Sequence, residues 1–354
     1  MTPIILLALF MAAMAAITIS SKIKAKKALA ARLESAFGKP PQEKDTEFES
    51  IGRYTGRLAA SDLFTDHITW NDLDMDRVFE RINACQSSVG EEYLYSVLHQ
   101  PQFDEGPLQK REALIQYFDQ NPAERLAAQM ALAGVGKRNY NGISHLIFNA
   151  DMQRLPRAWV YKVLAALPVV GLLGVLFHLG VGILGVFFAF AINGIVYHQV
   201  TKKIGAEFPA IGYFSRMMKC VQKLSDIKGL QDQPAIKHMQ APYRVFKKLV
   251  SKAPTQTSGF TGNIAEDGWL YFTILFLYDI RHYNNFIAAI IQNRNAFHEL
   301  YKAIGEVEVA LAVLSFRKSL PAYTLPVFHS QNALDFEEVF HPLIATPVAN
   351  TGTL

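Results

Sequence analysis

Binding a nucleoside triphosphate takes a loop of backbone amides around the phosphates, a lysine on them and a hydroxyl for magnesium, in the pattern G-x-x-x-x-G-K-[ST]. The nearest fragment in this chain is Gly134-Val135-Gly136-Lys137-Arg138. Ala131 stands where the leading glycine belongs, Arg138 replaces the Ser or Thr, and the fragment follows a helical pattern instead of a strand. It is rejected as a phosphate loop. The sequence contains no H-E-x-x-H, no G-x-S-x-G and no dinucleotide fingerprint. His329 and the His341-Pro342 pair are isolated and read as structural. Cys85 and Cys220 form no C-x-x-C motif and have no His at metal spacing, so they read as small buried apolar residues in a reducing compartment. The carboxylates are spread over amphipathic stretches and read as solvated helix faces. No catalytic, cofactor-binding or metal-ligating residue is assigned on these grounds.

The elements that would position any such residue are dominated by apolar sequence. Of 354 residues, 50% are hydrophobic and 19% are charged, and the mean hydropathy is +0.11. Two almost purely apolar stretches account for the excess. The first is 3–19, PIILLALFMAAMAAITI, about 25 Å as a helix and just enough for a bilayer core. Its lysines (Lys22, Lys24, Lys26 and Lys27) follow the run, the reverse of a cleaved signal peptide. Residues 1–20 are therefore expected to be a transmembrane anchor with its N-terminus outside.

The second stretch, 163–201, holds no Asp, Glu, Lys or Arg. As one helix it would be about 58 Å long, roughly twice the hydrocarbon thickness. A transmembrane hairpin over 158–201 fits better, turning near Phe177-His178-Leu179-Gly180. Trp159, Tyr161 and Tyr197 suit the interfacial belt. Arg154, Arg157 and Lys162 before it, with Lys202 and Lys203 after it, place both ends in the cytoplasm. Gly171, Gly174, Gly182 and Gly185 are spaced for close helix approach. A polar residue inside a span is a site hypothesis by default. Here His178 falls at the turn and Asn193 can bond across the hairpin, and helices without an internal carboxylate make a poor channel.

The remaining sequence reads as mainly α. Residues 21–67 form a basic, then mixed-charge linker, with a break at Lys39-Pro40-Pro41. Residues 68–157 carry helices capped near Asp72 and Asp74 and at Ser87-Ser88, the latter ending before Pro101, then Leu108 to Phe118 and Pro122 to Leu132. Residues 202–330 are helical, with breaks at Gly229 and Pro234, a loop from Pro254 to Gly262, and a long region from Trp269 to Leu320. Trp269 to Tyr278 is too short to span and reads as a buried helix face. From Pro321 the tail reads as extended and loop-like.

Three stretches together resemble the MutS family of DNA mismatch-repair ATPases, in its membrane-associated branch. Trp70-Asn71-Asp72-Leu73-Asp74-Met75-Asp76, then Ser87-Ser88-Val89-Gly90-Glu91-Glu92-Tyr93-Leu94-Tyr95 and Leu98-His99-Gln100-Pro101, look like the family's core segment. Leu108, Arg111-Glu112 and Ile115 match its next helix. Ile304-Gly305-Glu306-Val307-Glu308 with Ala312 and Leu314 is similar to the lever helix that leads to the ATPase domain. His341-Pro342-Leu343-Ile344 with Pro347-Val348-Ala349-Asn350 looks like that domain's opening, so 331–354 is expected to be its start. Relatives use ATP and magnesium. This chain stops at Leu354, ahead of the family's phosphate loop, so no cofactor and no hydrolysis are expected of it alone. The family's mismatch reader uses Phe-x-Glu in an N-terminal domain; Phe336-Glu337-Glu338 fits that pattern but lies elsewhere. Where mismatch-repair relatives insert a DNA clamp, this chain carries its hairpin.

The resulting expectation is a membrane-anchored core and lever segment of a mismatch-repair-type ATPase, multi-pass in a bacterial-type inner membrane, with its helical parts cytoplasmic. Its expected partners are the lipid bilayer and a second copy or another protein. The alternative is a membrane scaffold that binds proteins through cytoplasmic helices. A DNA-binding role would fall to the Lys and Arg residues of 202–252. A net charge of +4 does not argue for it, because membrane-flanking lysines give the same bias.

Overall fold

The computed structural model describes residues 2–42, 46–58, 64–204, 208–250, 264–328, 333–344 and 346–353. Among them are fifteen α-helices and one antiparallel strand pair. The expectation of a mainly α chain holds; several boundaries do not.

Helix α1 runs unbroken over Thr2–Ala36, across the expected division at residue 20. The Lys- and Ala-rich sequence after the apolar run consists of strong helix formers, so nothing stops the helix there. It ends before Gly38, whose φ of +70° turns the chain, and the Gly38 amide donates to Ser315 Oγ at 3.1 Å. The side chains of 2–18 lie outside the described residues. The stretch read as a linker contains α2 (Phe48–Thr55), which buries Ile51 and Tyr54. Its charges, Glu49 and Arg53, sit on the opposite face, and that periodicity is masked by the mixed composition around it.

Helices α3 (His67–Asp72), α4 (Met75–Ile82) and α5 (Ser88–His99) follow. Ser87 caps α5 by accepting from the Gly90 amide at 3.2 Å. Asp66 caps α3, a helix not foreseen separately, accepting from the Thr69 amide at 2.8 Å. The cap expected near Asp72 and Asp74 falls at Asp74, which takes the N-cap position of α4 with φ +51°, but its carboxylate pairs with Arg77 at 3.1 Å and makes no capping hydrogen bond. Then come α6 (Glu105–Gln120), α7 (Pro122–Ala133) and α8 (Ile143–Asn149), the apolar pair α9 (Ala158–Gly174) and α10 (Leu179–Ile204), and α11 (Phe208–Ser225) and α12 (Pro234–Val250). The expected loop from Pro254 to Gly262 lies outside the described residues.

The long helical region expected from Trp269 to Leu320 is divided among three helices: α13 (Ile264–Leu275), α14 (Tyr278–Gln292) and α15 (Arg294–Lys318). Leu277 at φ +48° breaks the first junction and Asn293 the second. Helix α15 is the centre of the fold. It buries residues on nearly every face, including Phe297, Tyr301, Ile304, Val307, Ala310, Leu311 and Leu314, which marks a core helix instead of an amphipathic surface one. One large apolar cluster surrounds it, drawn from α5 to α8, α11, α12 and α14. A smaller one joins Ile51, Phe79, Cys85, Leu94, Val309 and Ala312. Cys85 and Cys220 are both buried.

The tail is not wholly loop-like. Strands β1 (Asp335–Val339) and β2 (Asn350–Thr353) pair antiparallel, with Phe336 opposite Gly352. Strands this short lack the run of alternation that would announce them in a sequence.

Candidate membrane interface and lever joint

Helices α9 and α10 pack against each other along their length, and the four glycines set how closely. A Cβ on Gly171 would lie 2.8 Å from the Val186 amide nitrogen, and one on Gly182 would collide with the Val175 backbone. A Cβ on Gly185 would lie 3.3 Å from Gly171 Cα, tighter than an ordinary contact, and one on Gly174 would lie 3.5 Å from Gly182 Cα, an ordinary one. The turn falls at 175–178, with Phe177 91% exposed at its tip. The outer surface of the pair is a run of exposed apolar side chains, among them Val170, Leu173, Leu176, Leu184, Phe187 and Phe188. Water-facing surfaces of soluble proteins rarely carry an apolar patch of that extent; such patches mark contact with a membrane or another protein. Among the described residues one helix, α10, is long and apolar enough to cross a membrane: 26 residues with mean hydropathy 2.3 in its most apolar stretch, of which 17% is buried. Helix α9 is apolar but shorter, at 17 residues.

Asn193 is fully buried in this apolar setting. Its Nδ2 donates to the Leu164 carbonyl of α9 at 3.0 Å and to the Leu275 carbonyl of α13 at 2.6 Å. The expected bond across the hairpin is present; the second bond, to a third helix, is new. One turn further along α10, the Tyr197 hydroxyl donates to Asp279 Oδ2 of α14 at 3.2 Å. Burial raises the Asp279 carboxyl to about 6, against the lowering effect of the Tyr197 bond. The stretch Trp269 to Tyr278 is not a wholly buried face: Trp269, Tyr271 and Phe272 are 38%, 48% and 41% exposed.

From this base the chain enters α14 and α15, and α15 meets α5 in a reciprocal notch. Glu308 of α15 fills the space over Gly90, where a Cβ would lie 2.7 Å from its side chain. The Tyr93 ring of α5 fills the space over Gly305 of α15. Tyr93 Oη donates to Glu306 at 2.6 Å, and Arg111 of α6 pairs with the same carboxylate at 3.0 Å. Glu112 pairs with Arg317 at 2.8 Å. Two of the three stretches quoted for the family resemblance, the core segment with its next helix and the lever helix, thus meet in space.

Two carboxylates read as solvated are in fact buried, a correction to the sequence reading. Glu308 accepts from the Gln86 amide at 2.8 Å, and Glu92 accepts from Asn141 at 2.5 Å and from the Tyr301 hydroxyl at 2.8 Å. Burial pushes each carboxyl up to about 7, partly offset by those hydrogen bonds. Both sit on helices whose acidic residues look interchangeable by spacing, which is why the pattern hid them.

The other candidates have ordinary places. Gly134 to Arg138 forms the turn after α7; the Gly136 carbonyl accepts from Tyr213 Oη at 3.1 Å, and Lys137 pairs with Glu91 at 2.5 Å. Most of the basic residues of 202–252 project from exposed faces of α11 and α12, although Arg216 donates to the Val135 carbonyl at 2.9 Å. A cleft of about 360 Å³ lies over the joint, lined by Tyr54, Arg111, His298, Lys302 and Glu306. Its charges are committed to one another: Arg111 to Glu306, Lys302 to Glu299 and His298 to Tyr54. Phe336-Glu337-Glu338 lies in β1, and the amide of Leu343 donates to His341 Nδ1 at 3.3 Å. His329 is outside the described residues. No known protein family's sequence profile matches this chain, and no curated protein matches it.

Proposed function

We propose that the chain is a membrane-anchored helical lever, of the architecture of the membrane-associated MutS-related proteins, that ties a cytoplasmic helical body to a bilayer hairpin. The observation that carries this reading is the continuous path from Asn193 and Tyr197 in the apolar pair, through Asp279 and α14, into the buried helix α15. A packed helix transmits displacement because a close-packed core does not deform continuously. In this reading α9 and α10 both cross the bilayer, helped at α9 by Lys162 and the flanking aromatics. The cations at 154–162 and 202–203 mark the cytoplasmic side, and the apolar start of α1 adds a third crossing with its N-terminus outside. The hairpin occupies the place of a DNA clamp, so the working end is lipid and not DNA. The chain itself contributes attachment and motion.

Two experiments test it. Membranes carrying the full chain are washed with alkaline carbonate: the chain is expected to stay with the lipid and to leave only with detergent, and release by carbonate alone defeats the membrane reading. The coding sequence after the codon for Leu354 tests the family reading. A frame that continues into a strand and G-x-x-x-x-G-K-[ST] supports it; an immediate stop in an intact gene counts against it.

A further inference from the structure

Helices α5 and α15 are joined by two buried carboxyls that are held differently. Glu92 of α5 has a donor for each oxygen: Asn141 on Oε1 at 2.5 Å and the Tyr301 hydroxyl of α15 on Oε2 at 2.8 Å. Glu308 of α15 reaches the other way, to the segment just before α5. Its Oε2 accepts from the Gln86 amide at 2.8 Å, and its Oε1 is buried with no hydrogen-bond partner among the described residues. The side chain lies across Gly90, with Cβ, Cγ and Cδ each 2.7 Å from where a Cβ on that glycine would stand. Turning toward a new donor means leaving that seat.

The surroundings do not balance a charge on Glu308. The 134–138 turn brings Lys137 toward it, but the Lys137 Nζ is held by Glu91 of α5 at 2.5 Å. Glu91 disfavours the charged form, while the Gln86 amide and the nearby Ser87 hydroxyl favour it. Cys85 before α5, and Cys220 and Tyr213 of α11, face the same carboxyl; burial first, and then the Glu308 charge, keeps each of them protonated. Elsewhere on α15, Arg111 of α6 is taken by Glu306, and Arg81 of α4 lies over the Phe316 ring. Helix α12 turns Lys237, Arg244 and Lys247 to its outer face. A buried carboxylate with one oxygen lacking a donor costs more than its neutral form. Burial accordingly pushes the Glu308 carboxyl up to about 7.

We infer that Glu308 makes the α5–α15 joint a proton-operated catch: neutral, it sits over Gly90; ionised, it leaves that seat and frees the Cys85-Gln86 segment from α15, while the large core around α11 stays closed. In the lever reading the open catch uncouples α5 from α15; the catch itself does not depend on that reading. In the open joint the carboxyl meets water and takes its ordinary value. Below about 4.5 both forms hold the proton, and opening does not vary with pH. Between about 4.5 and about 7 only the open form is ionised, so opening gains about tenfold per pH unit; above about 7 both are ionised and the gain stops.

The two cysteines report on the catch and on the core separately. Cys85 lies in the small apolar cluster with Leu94, Val309 and Ala312, Cys220 lies in the large one, and both are buried. The full chain in detergent is treated with a pyridyl disulfide, which reacts with thiols at acid and neutral pH, between pH 5 and pH 8. Each rate is divided by that of a free thiol at the same pH, and peptide mass mapping tells the two cysteines apart. Reaction at Cys85 is expected to rise about tenfold per pH unit up to about pH 7 and then to level, with Cys220 far slower throughout. Glu308→Gln is expected to flatten the Cys85 profile. Glu308→Met, which fills the seat without a charge, repeats the measurement should Glu308→Gln fold poorly. A flat profile at Cys85 in the natural chain overturns the inference, as does a rise that persists in the Glu308 variants. Equal rates at Cys85 and Cys220 also overturn it, by showing that the whole body opens and not the catch.

Discussion

At the level of single residues, the chain hides its most unusual chemistry in the joint between α5 and α15. Glu308 is buried with its carboxyl raised from 4.5 to about 7. Below the unfolded value both states hold the proton, and folding buries no charge. As pH rises from about 4.5 to about 7, the unfolded chain ionises first, so the stability held at low pH drains away. Glu308→Gln removes that penalty. It is expected to leave stability near wild type at pH 4.5 and to raise it at pH 8 by on the order of 3 kcal/mol at most given the shift to about 7, read as a higher Tm. A variant less stable than wild type at pH 8 would show that the carboxylate is held by its hydrogen bonds and not penalised. Gly305 carries a simpler constraint, because a methyl there meets the Tyr93 ring. Gly305→Ala should cost about 1–3 kcal/mol by overpacking, read as a lower midpoint in denaturant; an unchanged midpoint would mean that Tyr93 moves freely. Neither carboxylate burial nor the notch was legible by periodicity. The residues themselves, Gly90, Glu92, Gly305 and Glu308, were singled out only through the family resemblance, which notes that they belong together without saying how.

At the level of elements, the hairpin was the most legible part, because uncharged length and glycine spacing act through local chemistry alone. The turn came at 175–178, two residues ahead of the expected Phe177-His178-Leu179-Gly180, and the glycines lie where the helices touch. What sequence could not supply was the third helix. The Trp269 to Tyr278 stretch has the composition of a core helix, and only the placement of Leu275 beside Asn193 shows which neighbour it has. The same limit applies to α2, whose burial depends on α5 being next to it. Asn193→Ala should release the Leu275 and Leu164 carbonyls at a cost of about 1 kcal/mol, a usual value for polar contacts inside membranes. Hydrogen exchange should rise at the end of α13 and the start of α14 while α15 stays protected. Faster exchange spread evenly over the chain would mean that Asn193 serves general stability and not the α10–α13 link. Gly182→Leu forces the Val175 backbone away and should separate α9 from α10, lowering thermal stability in detergent.

At the level of the whole molecule, a buried helix, α15, is connected through α14 to an apolar helix pair whose outer surface is exposed. Composition announced the second part, since its lack of charge is visible in any window. It did not announce the first, because the burial of α15 depends on helices far apart in sequence closing around it. In the proposed reading the division of labour follows from that geometry: a cytoplasmic body of packed helices, and a hairpin set in lipid. The most direct test is the sidedness of the hairpin in sealed membranes. Full chains with His178→Cys or Lys203→Cys are treated with a membrane-impermeant maleimide from each side. Position 178 is expected to react only from the outer side and position 203 only from the cytoplasmic side; reaction of both from the same side would contradict a hairpin that crosses the bilayer.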